Sequence, residues 1–237
     1  FIYMVVRFEE IIYNSIFAVS VVNFFNLYIS DILYYILQFK YSYPLLFTLI
    51  SRDYIYQNIT HDKKEIVCYT GCIHASILSL FSIVYLLNIL DLEIYNLILD
   101  YSVIYNSIDI YYLIQNDSSI KNQMLFHHFI LITAILYGQF YETPQIYNYY
   151  IAMNFLSEIT TVPLNISWLL YIRQKKNTFT YKLASILTLC LYLPFRVILN
   201  TYLFYKQIYN IDTPIVYLQG MIMLLNYLWF YKLCQIN

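Results

Sequence analysis

Long apolar runs separated by short polar segments make up most of this chain. A bilayer core of about 30 Å needs roughly 20 predominantly apolar residues per helix. A shorter apolar piece from Pro44 to Ile50 follows the first run, so residues 11–50 form either one or two membrane segments. The pattern predicts an all-α, multi-pass membrane protein with about seven transmembrane helices. The runs are 11–38, 66–90, 97–114, 124–140, 145–171, 183–205 and 214–234.

Composition points to lipid as the solvent. The chain has 237 residues, of which 61% are hydrophobic and 11% are charged, whereas about a quarter of the residues in a soluble domain are charged. A soluble fold of this size has too little interior to hide so much apolar area. A net charge of −1, without basic clusters beyond short loops, excludes nucleic acid as a partner. Membrane lipids are the expected partners.

Basic residues lie almost entirely at one end of the predicted helices. The opposite end receives only Arg7 and Lys206. Because positively charged loops remain in the cytosol, we expect a non-cytosolic amino end and a cytosolic carboxyl end. The residues assigned to the cytosolic end are Lys40, Arg52, Lys63, Lys64, Lys121, Arg173, Lys175, Lys176, Lys182 and Lys232.

Ionisable residues inside the predicted spans are the strongest functional signal. Such groups are costly in hydrocarbon and usually face the bundle interior. A rise of about 1.5 Å per residue places Glu158 and Arg196 near the midplane, about 20 Å from either end, whereas Asp100 is expected at the far rim, in contact with water. We therefore predict that the remaining groups converge on a cavity open to the cytosol. These groups are His74, Asp109, His127, His128, Glu158 and Arg196.

Two alternatives remain open for the midplane charges and for the paired histidines. Glu158 and Arg196 either neutralise each other structurally or take part in function. Pro163 and Pro194 are expected to kink their helices beside these charges. Adjacent side chains diverge by about 100° on a helix, so one ring of the His127–His128 pair is expected to act or bind and the other to orient or pack.

The cysteines do not predict a metal site. Cys68 and Cys72 lie one helical turn apart and offer two ligands, while a structural zinc site needs four. We interpret them as small packing residues within a span. The sequence also lacks a phosphate-binding glycine loop and a nucleophile elbow, and we expect neither a metal nor a cofactor.

Five segments together resemble the TLC domain, which is shared by ceramide synthases, translocation-associated membrane proteins and several proteins of lipid homeostasis. The resemblance covers about residues 44–237, leaving residues 1–43 for an amino-terminal transmembrane helix, and is closest to the small TLC-domain-containing proteins rather than to the synthases. The segments are His74-Ala75, Tyr105 to Asp109, Phe126-His127-His128, Leu156 to Asn165 and Leu193-Pro194-Phe195-Arg196.

The resemblance implies a six-helix core around a lipid-sized cavity that faces the cytosol, plus the amino-terminal helix, usually in the endoplasmic reticulum. In ceramide synthases the paired histidines and later aspartates lie in the site of acyl-CoA-dependent N-acyl transfer. His127 and His128 match these histidines, and Glu158 lies near the position of the aspartates. The two aspartates of the synthase pattern are missing here, as are the serine and tryptophan often seen before His74.

Two functions follow from the resemblance and the residues. The first is non-catalytic binding of a lipid or acyl chain in an intramembrane cavity, in a role in lipid homeostasis. The second is ceramide-synthase-like acyl transfer, with acyl-CoA as co-substrate. The missing synthase pattern favours the first, while the identity of the lipid and the question of catalysis stay open.

Each function assigns roles to the same group of residues. In the enzyme, His127 or His128 is the general base or transient acyl acceptor, and Asp109 holds the tautomer of the ring. Glu158 completes the catalytic candidates. Three further residues are expected to contact lipid, namely His74, Arg196 and Asn165.

Overall fold

The computed structural model describes residues 42–115, 121–140, 144–210 and 215–236, and these form helices joined by short turns. The predicted run 11–38, and with it the orientation of the amino end, lies outside the described residues. The helices are α1 (Ser42–Asn58), α2 (Lys63–Leu86), α3 (Leu92–Gln115), α4 (Lys121–Phe140), α5 (Pro144–Phe155), α6 (Thr161–Ile172), α7 (Phe179–Tyr192), α8 (Leu199–Asn210) and α9 (Ile215–Ile236).

The six runs that begin at residues 66, 97, 124, 145, 183 and 214 each correspond to one helical rod, as predicted. Helices α5 and α6 are joined by a 3-10 turn, Leu156–Thr160, and α7 and α8 by a π-helical segment, Leu193–Ile198. The Pro44–Ile50 piece is part of α1, a helix of 17 residues; whether residues 11–50 form one or two membrane segments stays open, because residues before Ser42 lie outside the described part of the chain.

Local sequence signals explain where the helices begin and end. The Asp62 side chain accepts a hydrogen bond from the Lys64 amide at 2.8 Å and caps α2, because the first amides of a helix lack intrahelical partners. Asn88 and Gln174 follow α2 and α6 with φ of 57° and 58°. In this left-handed conformation, the amides after each helix bond back to its last carbonyls, which closes the helix end.

The two prolines expected to disturb their helices lie at irregular backbone. Pro163 is the third residue of α6, in the first turn after the 3-10 segment, and Pro194 lies inside the π-helical segment. A proline lacks the amide hydrogen of a regular helix and its ring collides with the preceding turn. Glu158 and Arg196 are carried by these irregular segments, so the predicted association of proline, disturbed backbone and buried charge is confirmed.

Six rods form a closed ring. In order around the ring these are α2, α3, α4, α9, α7–α8 and α5–α6, which returns to α2, while α1 packs outside against α2 and α3. This is the predicted six-helix core. The polar side chains from the rods meet inside it, whereas large apolar side chains such as Leu80, Ile186 and Ile198 remain exposed on the outside.

The outer surface and helix lengths are those of a membrane protein. Three described helices are long and apolar enough to cross a bilayer: Lys63–Leu86, Ile146–Ile172 and Phe179–Tyr209. Helices α3, α4 and α9 have 24, 20 and 22 residues, lengths of about 30 Å or more. Helix α3 carries buried polar residues among its apolar ones, such as Asp100, Asn106 and Asp109.

Gly138 allows α4 and α5 to approach closely. A Cβ at this position would lie 1.7 Å from Cε1 of the Tyr147 ring. The ring has little freedom to move, because Tyr147 is buried and its hydroxyl donates to the Ala134 carbonyl at 2.6 Å. Any side chain at position 138 must therefore separate the two helices.

We predict that Gly138→Ala destabilises the fold by about 1–3 kcal/mol, as overpacking of a tight contact does. The midpoint of thermal unfolding should fall by several degrees. Gly220→Ala is the matched control, since its nearest contact is the half-buried Phe204 ring at 3.0 Å, which can yield. Equal midpoints for the two variants would contradict this view of the α4–α5 contact.

Candidate functional site

Asp109 joins three helices at one point. Its Oδ1 accepts from Arg52 Nη2 at 2.7 Å, and its Oδ2 lies 3.0 Å from His128 Nε2. The three side chains belong to α3, α1 and α4 and are almost entirely buried. Removing one member of such a buried ion pair costs about 3–5 kcal/mol, because the other charge loses its compensation. Asp109 is therefore both a structural anchor and the centre of the candidate site.

Arg52 was wrongly assigned to a cytosolic loop. It is 5% exposed and lies over the Tyr112 ring, with 4.3 Å between the guanidinium carbon and the ring centroid. The sequence signal that identifies it is a helical stripe: Thr48, Arg52 and Ile55 are all buried on one face of α1, at spacings of four and three residues. Among the described residues, nothing accepts hydrogen bonds from Arg52 Nε or Nη1.

His74 lies beside this ion pair on α2. Its ring stacks on Tyr105 with centroids 3.7 Å apart and an angle of 10°. Tyr105 also lies under the Arg52 guanidinium at 5.9 Å, so the aromatic ring connects the histidine to the cation. His74 Nδ1 is buried and lacks a hydrogen-bond partner within the described part of the chain.

Asn165 borders the same aromatic ring. A Cβ at Gly71 would lie 2.5 Å from Asn165 Nδ2 and 3.7 Å from the Tyr105 hydroxyl, so the three residues are close neighbours where α2 packs on α6. The missing side chain of Gly71 makes room for the amide. Contact of Asn165 with lipid stays a prediction.

The paired histidines have different partners, as the helical geometry predicts. Their ring centroids are 5.6 Å apart and both rings are buried. His128 faces Asp109, while His127 packs against the edge of Trp229 at 5.3 Å. Because Asp109 also bonds to Arg52, its carboxylate acts as the acceptor, so a neutral His128 ring carries its proton on Nε2 and a lone pair on Nδ1.

Arg196 and Glu158 form the midplane pair. Arg196 Nη2 donates to Glu158 Oε1 at 3.1 Å and to Thr161 Oγ1 at 2.7 Å, and Arg196 Nε donates to Thr160 Oγ1 at 2.7 Å. Nη1 reaches Asn226 Oδ1 at 3.3 Å. The guanidinium is thus held on each nitrogen by protein groups. This supports the structural pairing alternative; binding of a lipid headgroup by Arg196 stays a prediction.

Trp229 links the two polar clusters. Its ring contacts His127, and the Arg196 guanidinium carbon lies 6.0 Å from its centroid. The indole Nε1 donates to Gln123 Oε1 at 3.0 Å, which fixes the ring. The sequence pattern did not predict that Trp229 and Asn226 belong to the site. The only signal for them was their spacing of three residues, which places them on one face of the apolar helix α9. Ionisable groups from separate helices thus lie inside the bundle in two neighbouring clusters, while the cavity on which they were predicted to converge stays a prediction.

Asp100 does not lie in water at the rim. It is 0% exposed, and its Oδ1 accepts from Gln139 Nε2 at 2.9 Å. The prediction was wrong because it took depth along the helix as the only measure of hydration, whereas α4 covers this face of α3. A carboxylate shielded by a neighbouring helix is buried at any depth.

An ion pair lies at the basic end of the contact between α2 and α6. Arg173 Nε and Nη2 donate to the two Glu65 carboxylate oxygens at 2.8 and 2.7 Å. Hydrogen bonding to Glu65 raises the pKa of the Arg173 guanidinium above its usual value, so this pair remains ionised at neutral pH. It ties the turn after α6 to the beginning of α2.

Two small spaces lie between the described helices. One space of about 30 Å³ lies among α4, α5, α8 and α9, and another of about 10 Å³ lies among α1, α2 and α3. A single water needs about 10–15 Å³ on this measure, so neither holds an acyl chain as it stands. A lipid-sized cavity facing the cytosol stays a prediction.

Metal-binding residue types do not assemble in the described ranges: no group of three or more His, Cys, Asp or Glu side chains there is placed to hold an ion. Cys68 and Cys72 are free thiols. Cys72 Sγ lies 3.7 Å from the Val162 carbonyl, in the packing contact between α2 and α6. Both act as packing residues.

The comparisons with known proteins agree with this architecture. A family model described as the TLC domain matches residues 93–235. The matched range, more than half of the chain, includes Asp109, His127, His128, Glu158 and Arg196, while Arg52 and His74 precede it. No curated protein and no solved structure matches the chain. The predicted domain boundary at residue 44 stays a prediction.

Asp109→Asn is expected to destabilise the fold by about 3–5 kcal/mol, because Arg52 then remains buried without its counter-charge. Adding Arg52→Met should recover part of that loss. Unfolding of the two single variants and the double variant gives the coupling energy directly. Additive effects would show that the pair does not hold α1 to α3.

Proposed function

The chain belongs to the TLC-domain family, and we propose that it binds the polar head of a membrane lipid at the cluster formed by Arg52, Asp109 and His128. Its membership and its long apolar helices make it an integral, multi-pass membrane protein with a lipid-related function.

The unpaired donors of Arg52 carry this proposal. A guanidinium has five N–H donors, yet in the described structure its Nε and Nη1 are buried without an acceptor. Buried polar groups in proteins are nearly always paired with protein, water or ligand. An oxygen-rich lipid head, such as a phosphate, carboxylate or carbonyl group, supplies the missing acceptors. The free Nδ1 of His128 adds an acceptor for a hydroxyl or amide hydrogen of the same head.

The packing around Arg52 suggests how a lipid would enter. Helix α1 lies outside the six-helix ring, and its extensive contacts within the described structure are with α2 and α3. The small space between these three helices is lined by hydroxyl groups of Thr48, Ser51 and Thr70 and by two tyrosines. Movement of α1 away from the ring would open Arg52 to the bilayer while the ring stays closed.

The expected orientation follows from charge, and the expected membrane follows from the family resemblance. All described lysines except Lys206 lie toward the end of the bundle at which α2 begins and α9 ends. Asp109 and His128 lie six and seven residues from that same end, about 10 Å deep. We propose that this end faces the cytosol in the endoplasmic reticulum membrane.

Arg52→Lys is the sharpest test of lipid binding. Lysine keeps the charge opposite Asp109 but removes the planar set of N–H donors. We expect the variant to fold and to carry about tenfold less lipid after purification, as measured by native mass spectrometry. Arg173→Lys, at the rim, is the matched control and should retain wild-type lipid. Equal lipid content in the two variants would exclude Arg52 as the headgroup site.

A second candidate function is acyl transfer, favoured by the 3.0 Å contact between His128 Nε2 and Asp109. A carboxylate that fixes one ring nitrogen leaves the other to accept a proton from a nucleophile. Acyl-CoA would be the co-substrate. His127, against Trp229, would then position the ring pair rather than take the proton.

Purified protein incubated with labelled acyl-CoA and a long-chain base separates the two functions. If acyl transfer occurs, His128→Gln should lower product formation by at least about 100-fold, while His61→Gln, at an exposed position, should not change it. Lipid binding without any histidine-dependent product would leave binding as the function for this substrate class.

A further inference from the structure

Two segments that are distant in sequence form one basic surface at the end of the bundle where α2 begins and α6 ends. The ion pair between Arg173 and Glu65, with distances of 2.8 and 2.7 Å, joins them. Residues 61–65 and 173–182 together carry six lysine or arginine side chains and two carboxylates, a net charge of +4. We call this surface the basic rim. Its exposed lysines are Lys63, Lys64, Lys175, Lys176 and Lys182.

The carboxylates of the basic rim already have partners. Glu65 is bonded to Arg173, and Asp62 accepts from the Lys64 amide as the cap of α2. Within the described part of the chain, no carboxylate forms an ion pair with any of the five exposed lysines. The rim therefore presents positive charge that is available to an anion from outside the protein.

The turn that carries two of these lysines is held in a fixed conformation. Gln174 has a φ of 58°, and the Lys175 amide donates to the Leu170 carbonyl at 2.8 Å. The Lys175 carbonyl accepts from the Thr178 hydroxyl at 2.8 Å. Because both backbone groups of Lys175 are bonded, the exposed side chains of Lys175 and Lys176 lie on a preorganised turn. Binding at this turn requires little further ordering of the backbone.

An exposed aromatic stack continues from the basic rim along α6. The rings of Trp168 and Tyr171 are parallel, with centroids 5.1 Å apart, and these residues are 52% and 42% exposed. Lys176 Nζ lies 3.9 Å from the Tyr171 centroid, so this amine lies on the same outer face. Other sides of α6 pack on α2 and α7. The outer face thus combines a cation at the helix end with an aromatic surface next to it, and tryptophan and tyrosine are enriched at this level of a bilayer.

We propose that the basic rim and the aromatic stack bind an anionic glycerophospholipid of the surrounding bilayer. Clusters of about four to eight basic side chains at the membrane end of a helix attract anionic lipid heads. The lysines bind the negative head, and its acyl chains lie along Trp168 and Tyr171. A zwitterionic head carries an ammonium group of its own, which the lysines repel. A soluble acidic peptide would leave the aromatic stack unused.

This surface is independent of the site proposed around Arg52. Arg52 is buried on α1, whereas the basic rim is exposed and belongs to α2, α7 and the turn after α6. Substitutions of the rim lysines therefore leave the Arg52 cluster unchanged, and the two proposals can fail separately.

The two tryptophans of the chain, Trp168 and Trp229, allow a direct measurement. Brominated acyl chains quench a tryptophan that they contact. The full chain in phosphatidylcholine nanodiscs receives brominated phosphatidylserine or brominated phosphatidylcholine at equal mole fraction. Trp168→Phe, which retains Trp229, supplies the background. We expect Trp168 to prefer phosphatidylserine about fivefold and to lose this preference in high salt, because exposed charges are screened.

Paired substitutions locate the charges that select the lipid. Lys175→Gln combined with Lys176→Gln should remove the preference. Lys63→Gln combined with Lys64→Gln should weaken it, because both segments form the rim. Lys206→Gln is the matched control: this lysine is also exposed and lies over a tyrosine ring, but at the opposite end of the bundle, so its substitution should preserve the preference. All these lysines are exposed, and we expect each variant to keep the thermal midpoint of the wild type.

Equal quenching of the wild type by the two lipids would overturn the proposal, as would a preference that survives in the variant lacking Lys175 and Lys176. Loss of the preference in Lys206→Gln would show a general effect of net charge and would overturn it too. A preference that Arg52→Lys abolishes and the rim variants retain would place the anionic lipid at the Arg52 cluster instead.

Discussion

The cost of an unpaired charge in hydrocarbon determines how this bundle is assembled. A charged side chain at the centre of a bilayer costs at least about 2.5–3.5 kcal/mol, so each buried charge needs a partner on another helix. Asp109 therefore joins α1, α3 and α4, and Arg196 joins the α5–α6 rod to α9. Apolar packing between such helices gains little over contact with lipid tails; the polar contacts define which helices are neighbours.

The irregular backbone serves the same requirement. Glu158 lies in a 3-10 turn and Arg196 in a π-helical segment, and such departures from α-helix are frequent at functional positions. The π-helical segment also leaves the Phe195 carbonyl to accept from Asn200. One stretch of six residues thus supplies the Arg196 side chain to the charged cluster and a backbone carbonyl to a chain of hydrogen-bonded amides, formed by Asn200, Gln219 and Asn154. The two polar networks are joined through it.

The Arg52 cluster and the amides of Asn154, Gln219 and Asn200 differ in chemistry and in position. The Arg52 cluster, toward the basic end, combines a cation with hydrogen-bond donors and histidine nitrogens that lack partners in the described structure. The amides near the other end carry no charge and bond to one another. A headgroup with charge or several oxygens suits the Arg52 cluster.

The sequence by itself determined the all-helical membrane architecture, the six rods of the ring, the disturbed backbone at Pro163 and Pro194, and the burial of His74, Asp109, His127 and His128. Hydropathy and proline act locally along the chain, so these features are visible without a structure. Only the tertiary structure showed that Arg52 enters the site, that Asp100 is shielded, and that Arg196 contacts Glu158 and Asn226. Which side chains contact each other depends on how one helix is rotated against another helix that is distant in sequence. Successive side chains on a helix differ in direction by about 100°, so the contacts follow from this rotation and not from the local pattern.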